Sequence, residues 1–170
     1  MTPAADPLPS PGTVFLMRHG IAEPRGGATP EPLRALTPRG LRRTRAVAER
    51  LMQLNLTLDL LLSSPLQRAR QTAELVVQAG LVDGLLIDEA LAPGGDPWPL
   101  VEACGPRRLM LVGHEPDLGD LASRLLGAPV GAIRLKKAGL AVISLGPSPC
   151  LRSLWAPAGL LAAASATAPV

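Results

Sequence analysis

The chain of 170 residues contains only two histidines, and both occupy the same kind of position. His19 follows the apolar run Thr13 to Met17, and His114 follows the apolar run Arg108 to Val112. A lone histidine is more often a hydrogen-bonded structural group than a catalyst, although imidazole also serves as nucleophile, acid-base group or metal ligand. Because both histidines follow a predicted strand, we favour a functional pair.

Two arginines accompany the histidines. Arg18 directly precedes His19, and Arg68 lies near Ser64 in the opening turn of a helix predicted after the run Leu58 to Leu62. Ligands of open α/β sheets bind beyond the carboxyl ends of the strands, so these side chains should converge there. Guanidinium groups, imidazoles and helix N-termini at one place favour a tetrahedral oxyanion, above all a phosphoryl group.

A metal site is the weaker interpretation of the same residues. No carboxylate or cysteine lies at ligand spacing near either histidine, and the flanking arginines would repel a cation. We therefore expect no metal and no cofactor.

The short segment Arg18, His19 and Gly20 needs an irregular backbone. Successive side chains on a strand point to opposite faces, so Arg18 and His19 can share a pocket only if the strand ends there. Gly20 lacks a Cβ atom, and we expect it to permit the turn that brings both side chains to one ligand.

The spacing of apolar residues predicts the elements that position these groups. Residues 38–54, the stretch from Leu66 to Ala79 and the stretch from Leu118 to Leu125 have the periodicity of amphipathic helices. Strands are predicted for five apolar runs: Thr13 to Met17, Leu58 to Leu62, Arg108 to Val112, Leu140 to Leu145 and Leu151 to Trp155. Their alternation predicts an α/β three-layer sandwich with a mainly parallel central sheet and an antiparallel edge formed by the last two strands.

Prolines indicate where three helices begin. The pairs are Thr37-Pro38, Ser64-Pro65 and Glu115-Pro116, and a first-turn proline loses no helical hydrogen bond. Ser64 and Gln67 also have the spacing of a capping box. Residues 21–36, rich in glycine and proline, are predicted to form a loop.

Composition supports one domain over residues 13–157, preceded by a disordered lead-in at 1–12 and followed by a weakly ordered Ala-rich tail at 158–170. Residues 153–170 carry no charge, but Pro157 and Pro169 argue against a membrane span.

A net charge of +3 and 2% aromatic residues argue against nucleic-acid binding. The basic residues between Arg34 and Arg50 are interpreted as a solvated helix face. Two cysteines are too few for a disulfide framework, so we expect a cytoplasmic protein.

Three motifs resemble the signatures of the histidine phosphatase superfamily: LMRHG at 16–20, SSPLQRARQTAE at 63–74 and VGHEPDLG at 112–119. The resemblance covers residues 13 to about 155 and implies a phosphoglycerate mutase-like fold. The short length and the segment LRALTPRG at 33–40 are similar to the SixA-type phosphohistidine phosphatases within that superfamily.

The resemblance implies a role for each residue of the motifs. His19 would attack phosphorus, and Arg18, Arg68 and His114 would hold the equatorial oxygens. If the attacking nitrogen of His19 is unprotonated, the other ring nitrogen should donate to a backbone carbonyl. Further candidates for substrate binding are Gly20, Ser64, Glu89 and Arg34, although an arginine in a solvated loop is an equally good interpretation of Arg34.

Two substrates and one non-catalytic function stay open. Enzymes of the superfamily that cleave esters of alcohols use a carboxylic acid to protonate the leaving oxygen, and Glu89 or Asp88 lies in that region; the sequence ALAPGGD at 90–96 departs from the pattern. An imidazole leaves more easily than an alkoxide, which favours a phosphohistidine on a histidine-phosphotransfer domain. The alternatives are a small phosphomonoester as substrate and a phospho-ligand binding module without turnover.

Overall fold

A computed structural model describes residues 12–165 of the protein. Six strands form one mixed sheet in the order β3-β2-β4-β1-β5-β6. Strands β1 to β4 are mutually parallel, and β5 and β6 add an antiparallel edge beside β1. The strands are β1 (Thr13–Arg18), β2 (Leu60–Ser63), β3 (Leu86–Ile87), β4 (Arg108–Gly113), β5 (Leu140–Ser144) and β6 (Cys150–Trp155). The predicted α/β sandwich is confirmed, including its antiparallel edge.

Helices cover both faces of the sheet. They are α1 (Pro38–Gln53), α2 (Gln67–Gln78), α3 (Trp98–Glu102), α4 (Asp117–Leu125) and α5 (Pro157–Ser165), with 3₁₀ turns at Glu31–Leu33 and Glu89–Leu91. Alternate residues of β1 point to opposite cores: Phe15 packs with α1, α2 and α5, whereas Val14 and Leu16 pack with α3 and α4. Because the centre of β1 is buried on both faces, its four central residues are all apolar.

Helix α1 begins as predicted, but α2 does not. Thr37 caps α1, its hydroxyl accepting the Gly40 N–H, and Pro38 occupies the first turn. In α2 the N-cap is Leu66 and no side chain caps the helix, so the capping box predicted from Ser64 and Gln67 is not formed. The Ser64 hydroxyl instead contacts His114, a partner distant in sequence.

The carboxyl-terminal part of the chain differs from expectation. Helix α5 occupies residues that we had assigned to a weakly ordered tail from position 158. Leu160 is buried in the core beside α1, and this contact explains why the segment is ordered. Residues 166–170 of that predicted tail, and residues 1–11 of the predicted lead-in, lie outside the described part. In residues 12–165 no helix is both long and apolar enough to cross a membrane.

The carboxyl ends of three parallel strands meet at one edge of the sheet. Arg18, the last residue of β1, pairs with Gly113 of β4, and Ser63 of β2 pairs with Val112. All three motifs therefore leave the sheet at the same level. The loop 21–36 returns across this edge and is held by an isolated bridge between Ala22 and Leu36.

Candidate active site

The two imidazole rings lie side by side. Their centroids are 5.1 Å apart and their planes are tilted by 56°. His19 is 7% exposed and His114 is 4% exposed, so both rings are buried. The convergence expected from the two strand ends is confirmed.

The proton of His19 is fixed by the main chain. Its Nδ1 lies 2.7 Å from the Gly20 carbonyl oxygen, and since a carbonyl only accepts, Nδ1 carries the hydrogen. Burial lowers the pKa of His19 from 6.5 to about 3, with smaller contributions from the neighbouring charges of Arg68 and Arg18. His19 is therefore neutral at pH 7, and Nε2 holds a free lone pair, as the sequence analysis predicted for a nucleophile.

His114 is held by Ser64. The Ser64 hydroxyl lies 2.8 Å from His114 Nε2 and accepts the Leu66 N–H at 3.3 Å. When the hydroxyl hydrogen points to Nε2, His114 carries its own proton on Nδ1, a buried nitrogen without a partner among residues 12–165. Burial, together with the nearby charge of Arg68, lowers the pKa of His114 from 6.5 to about 4. In this tautomer Nδ1 is an unused donor.

Ser64 and Gly20, two candidates for substrate binding, form hydrogen bonds to other residues of the protein. Ser64 is completely buried, and its hydroxyl is occupied by His114 and the Leu66 amide. The Gly20 N–H donates to the Thr72 hydroxyl at 3.1 Å. A Cβ atom on Gly20 would lie 2.2 Å from the Thr44 hydroxyl, so close packing on α1 requires glycine here. This explains Gly20 better than the turn we had expected, because its φ is not in the left-handed region.

Arg68 is completely buried at the start of α2, with both terminal nitrogens directed to Glu31. Nη1 donates to the Glu31 carbonyl oxygen and Nη2 to the Glu31 carboxylate, each at 3.0 Å. Its Nε is buried without a partner in the described chain. Arg68 is therefore not a solvated residue of the helix surface, and its guanidinium faces the loop 21–36.

Arg34 forms a second guanidinium contact with the same carboxylate. Its Nε and Nη2 bind the two oxygens of Glu31 at 2.7 and 2.8 Å, and its Nη1 donates to the Glu23 carbonyl. Arg34 is only 6% exposed, so it is not a solvated loop residue. Hydrogen bonds from Arg34 lower the pKa of Glu31 below its usual range, and Glu31 is charged at neutral pH. One carboxylate thus neutralises two buried arginines.

Arg18 completes the cationic part of the site. Its Nη1 donates to the Leu135 carbonyl at 3.0 Å, and its Nε is buried without a partner in residues 12–165. Glu115 supplies a nearby opposite charge, and burial raises the pKa of that carboxyl. Three unpartnered nitrogens, on Arg18, Arg68 and His114, therefore belong to one site. They are suited to the oxygens of a phosphoryl group.

Glu89 and Asp88 lie after β3, beyond the same edge of the sheet. Asp88 caps the short turn that follows, its carboxylate accepting the Ala90 N–H at 2.9 Å. Glu89 is exposed, and within residues 12–165 no hydrogen bond joins its side chain to the histidines or arginines. The structure thus brings together Arg18, His19, Arg34, Arg68 and His114, but it does not link Glu89 to them.

Glu31, Glu115 and Lys137 are neighbours of the site that the sequence analysis missed. Glu31 precedes Arg34 by three residues, a spacing that suits an ion pair. Glu115 directly follows His114 in the sequence, whereas Lys137 reaches the site only through tertiary contacts. Within the described ranges no group of three or more His, Cys, Asp or Glu side chains is arranged to hold a metal ion.

Comparisons with known proteins agree with this architecture. Residues 14–92 match the model of the histidine phosphatase superfamily, branch 1. An uncharacterized protein of Picosynechococcus is 40% identical over 134 residues, which cover 75% of this chain and 81% of that protein. The protein histidine phosphatase SixA complexed with tungstate is 25% identical with a TM-score of 0.75, covering 87% of this chain and 99% of the other.

A likeness of fold extends to a phosphatase of another specificity. The phosphoserine phosphatase of Entamoeba histolytica, in complex with phosphoserine, is 17% identical with a TM-score of 0.69, and the match covers 86% of this chain and 98% of that one. Sequence motifs, family match, sheet topology and the paired histidines agree, and the chain belongs to the histidine phosphatase superfamily.

Proposed function

We propose that this protein is a phosphatase that removes the phosphoryl group from a phosphohistidine on another protein, such as a histidine-phosphotransfer domain, through a phosphohistidine on its own His19. One observation carries the proposal. The buried His19 ring is neutral, its Nδ1 hydrogen is bound to the Gly20 carbonyl, and Nε2 is free to attack.

In the first step the lone pair of His19 Nε2 attacks phosphorus. The phosphorus–nitrogen bond to the substrate breaks, and the substrate imidazole, which carries a proton on its other ring nitrogen, leaves as a neutral group with the bonding electron pair. Nδ1 keeps its hydrogen, so the phosphorylated ring of His19 is cationic and the Gly20 carbonyl stabilises it. Arg18, Arg68 and His114 Nδ1 would donate to the phosphoryl oxygens during this transfer.

In the second step water attacks the phosphorus of the phosphoenzyme. The bond between phosphorus and His19 Nε2 breaks, its electron pair returns to Nε2, and inorganic phosphate leaves with the oxygen of the water. The same donors serve both steps, because charge develops on the same three oxygens. The step uses no metal ion or cofactor, and addition of a chelator should leave the rate unchanged.

The nature of the leaving group supports phosphohistidine over an ester. Imidazole has a pKa near 6.5 and leaves as a stable neutral group, whereas an alkoxide needs a proton from an acid in the transition state. Glu89 would be that acid, yet it is exposed and has no hydrogen bond to the described site residues. The likeness to SixA, a protein histidine phosphatase, supports the same choice.

The second candidate function is hydrolysis of a small phosphomonoester. The position of Glu89 favours this function. Glu89 lies beyond the carboxyl end of β3, at the edge of the sheet where the histidines also lie. The shared fold of a phosphoserine phosphatase makes such a substrate chemically reasonable. In that case Glu89 would protonate the leaving alcohol.

Comparing turnover on two substrates tests the proposal. We expect a phosphohistidine-bearing phosphotransfer domain to be hydrolysed with a kcat/KM at least about a hundredfold above that for phosphoserine or a sugar phosphate, the scale of one missing acid catalyst. Glu89→Gln should change kcat/KM for the phosphotransfer domain less than twofold. The surface control Asp83→Gln should also change it less than twofold. A preference for the small esters that disappears in Glu89→Gln would contradict the proposal.

The non-catalytic alternative is distinguished by His19→Ala. A catalyst should lose turnover but still bind inorganic phosphate, since the arginines and His114 remain. Equal turnover in wild type and His19→Ala would remove His19 from its role.

We further propose that the protein acts in the cytoplasm, where its two unpaired cysteines, Cys104 and Cys150, are stable as thiols.

A further inference from the structure

A pocket of about 360 Å³ is lined by cations and apolar groups and contains no carboxylate. Arg43 of α1 and two lysines of the turn before β5 supply the charge. The full lining is Ile21, Arg43, Lys136, Lys137, Ala156, Pro157 and Ala158. In residues 12–165 no carboxylate lies within 4.0 Å of any of these three cations. The pocket therefore presents uncompensated positive charge over an apolar floor.

This pocket is fixed beside the nucleophile. The Ala138 N–H, adjacent to Lys137, donates to the carbonyls of Arg18 and His19 at 3.1 and 3.2 Å. Ala138 adopts a φ of 59°, which alanine disfavours, so the surrounding contacts impose this conformation. The opposite wall begins at Ile21, two residues after His19. A partner seated here would lie next to the phosphoryl site.

The charges of the pocket and of the site reinforce each other. Partial burial lowers the pKa of Lys137, and the nearby positive charges of Arg18 and Arg34 lower it further. Like charges held together without counter-ions repel one another in the free protein. An anionic partner would relieve this repulsion, and attraction would also speed its encounter with the site.

We propose that this pocket is a docking surface for an acidic, partly apolar segment of the protein that carries the phosphohistidine. The inference rests on the proposed function and identifies the kind of substrate protein. The lysines and Arg43 would pair with acidic side chains flanking the phosphohistidine, while Ile21 and Ala158 would contact apolar ones. Nucleic acid suits the pocket less well, because no aromatic side chain is available there for stacking.

Two phosphohistidine peptides of equal length test the proposal. One carries four glutamates after the phosphohistidine and the other carries four glutamines. At low salt we expect kcat/KM to be about fivefold higher for the glutamate peptide, the size of one or two exposed charge pairs. Lys136→Glu should reduce this ratio to about one, and adding Arg43→Glu should bring it below one.

Arg107→Glu is the matched control. Arg107 is exposed like Lys136 but precedes β4, at the other end of the sheet, so the fivefold ratio should persist. The kcat for phosphoramidate, a small phosphorus–nitrogen substrate, should be equal in all variants and shows that they are folded. An unchanged ratio of kcat/KM between the glutamate and glutamine peptides in the double variant would overturn the proposal. Equal losses of activity on both peptides and on phosphoramidate would also overturn it.

Binding of an unphosphorylated hexaglutamate peptide separates docking from catalysis. Fluorescence anisotropy should show weaker binding to the double variant than to wild type, even if neither phosphopeptide were hydrolysed and the proposed function failed. Equal binding to both proteins would contradict docking. A single-stranded oligonucleotide that bound wild type more tightly than hexaglutamate, and lost this binding in the double variant, would assign the pocket to nucleic acid and overturn the proposal.

Discussion

The histidine half of the site and the arginine half are held by different kinds of contact. The Gly20 carbonyl and the buried Ser64 hydroxyl orient the two imidazoles, and both groups belong to the packed edge of the sheet. The guanidiniums of Arg34 and Arg68 are instead held by Glu31, whose side chain is 47% exposed on a short turn. The two histidines are thus held by packed groups of the sheet edge, while Arg34 and Arg68 are held by a carboxylate that is half exposed.

This difference implies that phosphoryl binding competes with Glu31. Both terminal nitrogens of Arg68 are taken by Glu31, so they reach a ligand only when that turn moves. The Nε atoms of Arg18 and Arg68 and Nδ1 of His114 are buried and have no hydrogen-bond partner within residues 12–165. Full use of the arginine half therefore needs the turn that carries Glu31 to move.

The largest expected effect is that of Arg68→Lys. The planar guanidinium of arginine donates hydrogen bonds from several nitrogens, whereas the ammonium of lysine is a single donor centre. We therefore expect kcat/KM to fall about a hundredfold, the scale of one lost oxyanion donor. Arg70→Lys, two residues further along α2 and exposed, should leave kcat/KM unchanged. Equal kcat/KM in folded Arg68→Lys and in Arg70→Lys would contradict a role for Arg68 in binding the transition state.

Ser64→Ala tests the histidine half and should have the next largest effect. Without the hydroxyl, His114 loses the contact that orients it, and we expect kcat to fall about tenfold, within the range reported for positioning contacts. Ser63→Ala is the matched control, because the Ser63 hydroxyl donates only to the Ser64 carbonyl. Our account would be wrong if the two variants had the same kcat.

Glu31→Gln tests the arginine half and should have a smaller effect, in the opposite direction. Removing the charge weakens the contact that competes with phosphate, so the inhibition constant for inorganic phosphate should fall about threefold. Glu23→Gln is a suitable control, since Glu23 lies in the same loop but forms no ion pair among the described residues. Weaker inhibition by phosphate in Glu31→Gln would show that Glu31 helps the ligand to bind.

The last prediction is the smallest effect: neither histidine should titrate in the ordinary range of imidazole. Lowered pKa values of about 3 for His19 and about 4 for His114 mean that both rings stay neutral as pH falls from 8 to 5. Because the chain has only two histidines, NMR of a histidine-labelled protein reports on them alone. Chemical shifts of either ring that changed with a midpoint near 6.5 would show that burial does not control its charge.

Local patterns predicted the elements that carry the motifs. The apolar runs before His19 and His114 are the central strands, because burial on both faces demands unbroken apolar sequence. Strand β3, with two exposed residues, and the five-residue helix α3 have no comparable periodicity and were not predicted. Helix α5 was missed because its alanine-rich sequence is ordered by packing of Leu160 on α1, which is a tertiary contact.

The candidate site was predictable where its residues belong to motifs. Arg18, His19, Arg68 and His114 each leave a strand or open a helix at one edge, and topology then brings them together. The roles of Ser64 and Gly20 depend on partners 50 and 52 positions away, His114 and Thr72, and sequence spacing does not reveal these pairs. Glu31 was overlooked because its second guanidinium partner, Arg68, is 37 positions away.

Trapping the phosphoenzyme tests the central claim most directly. The protein is mixed with radiolabelled phosphoramidate, quenched in base, digested and mapped, with His19→Ala as the control. We predict an acid-labile, base-stable label on the peptide that contains His19, formed and lost at least as fast as turnover and absent from the control. A label on His114 instead, or full turnover with no label at any time, would contradict the account.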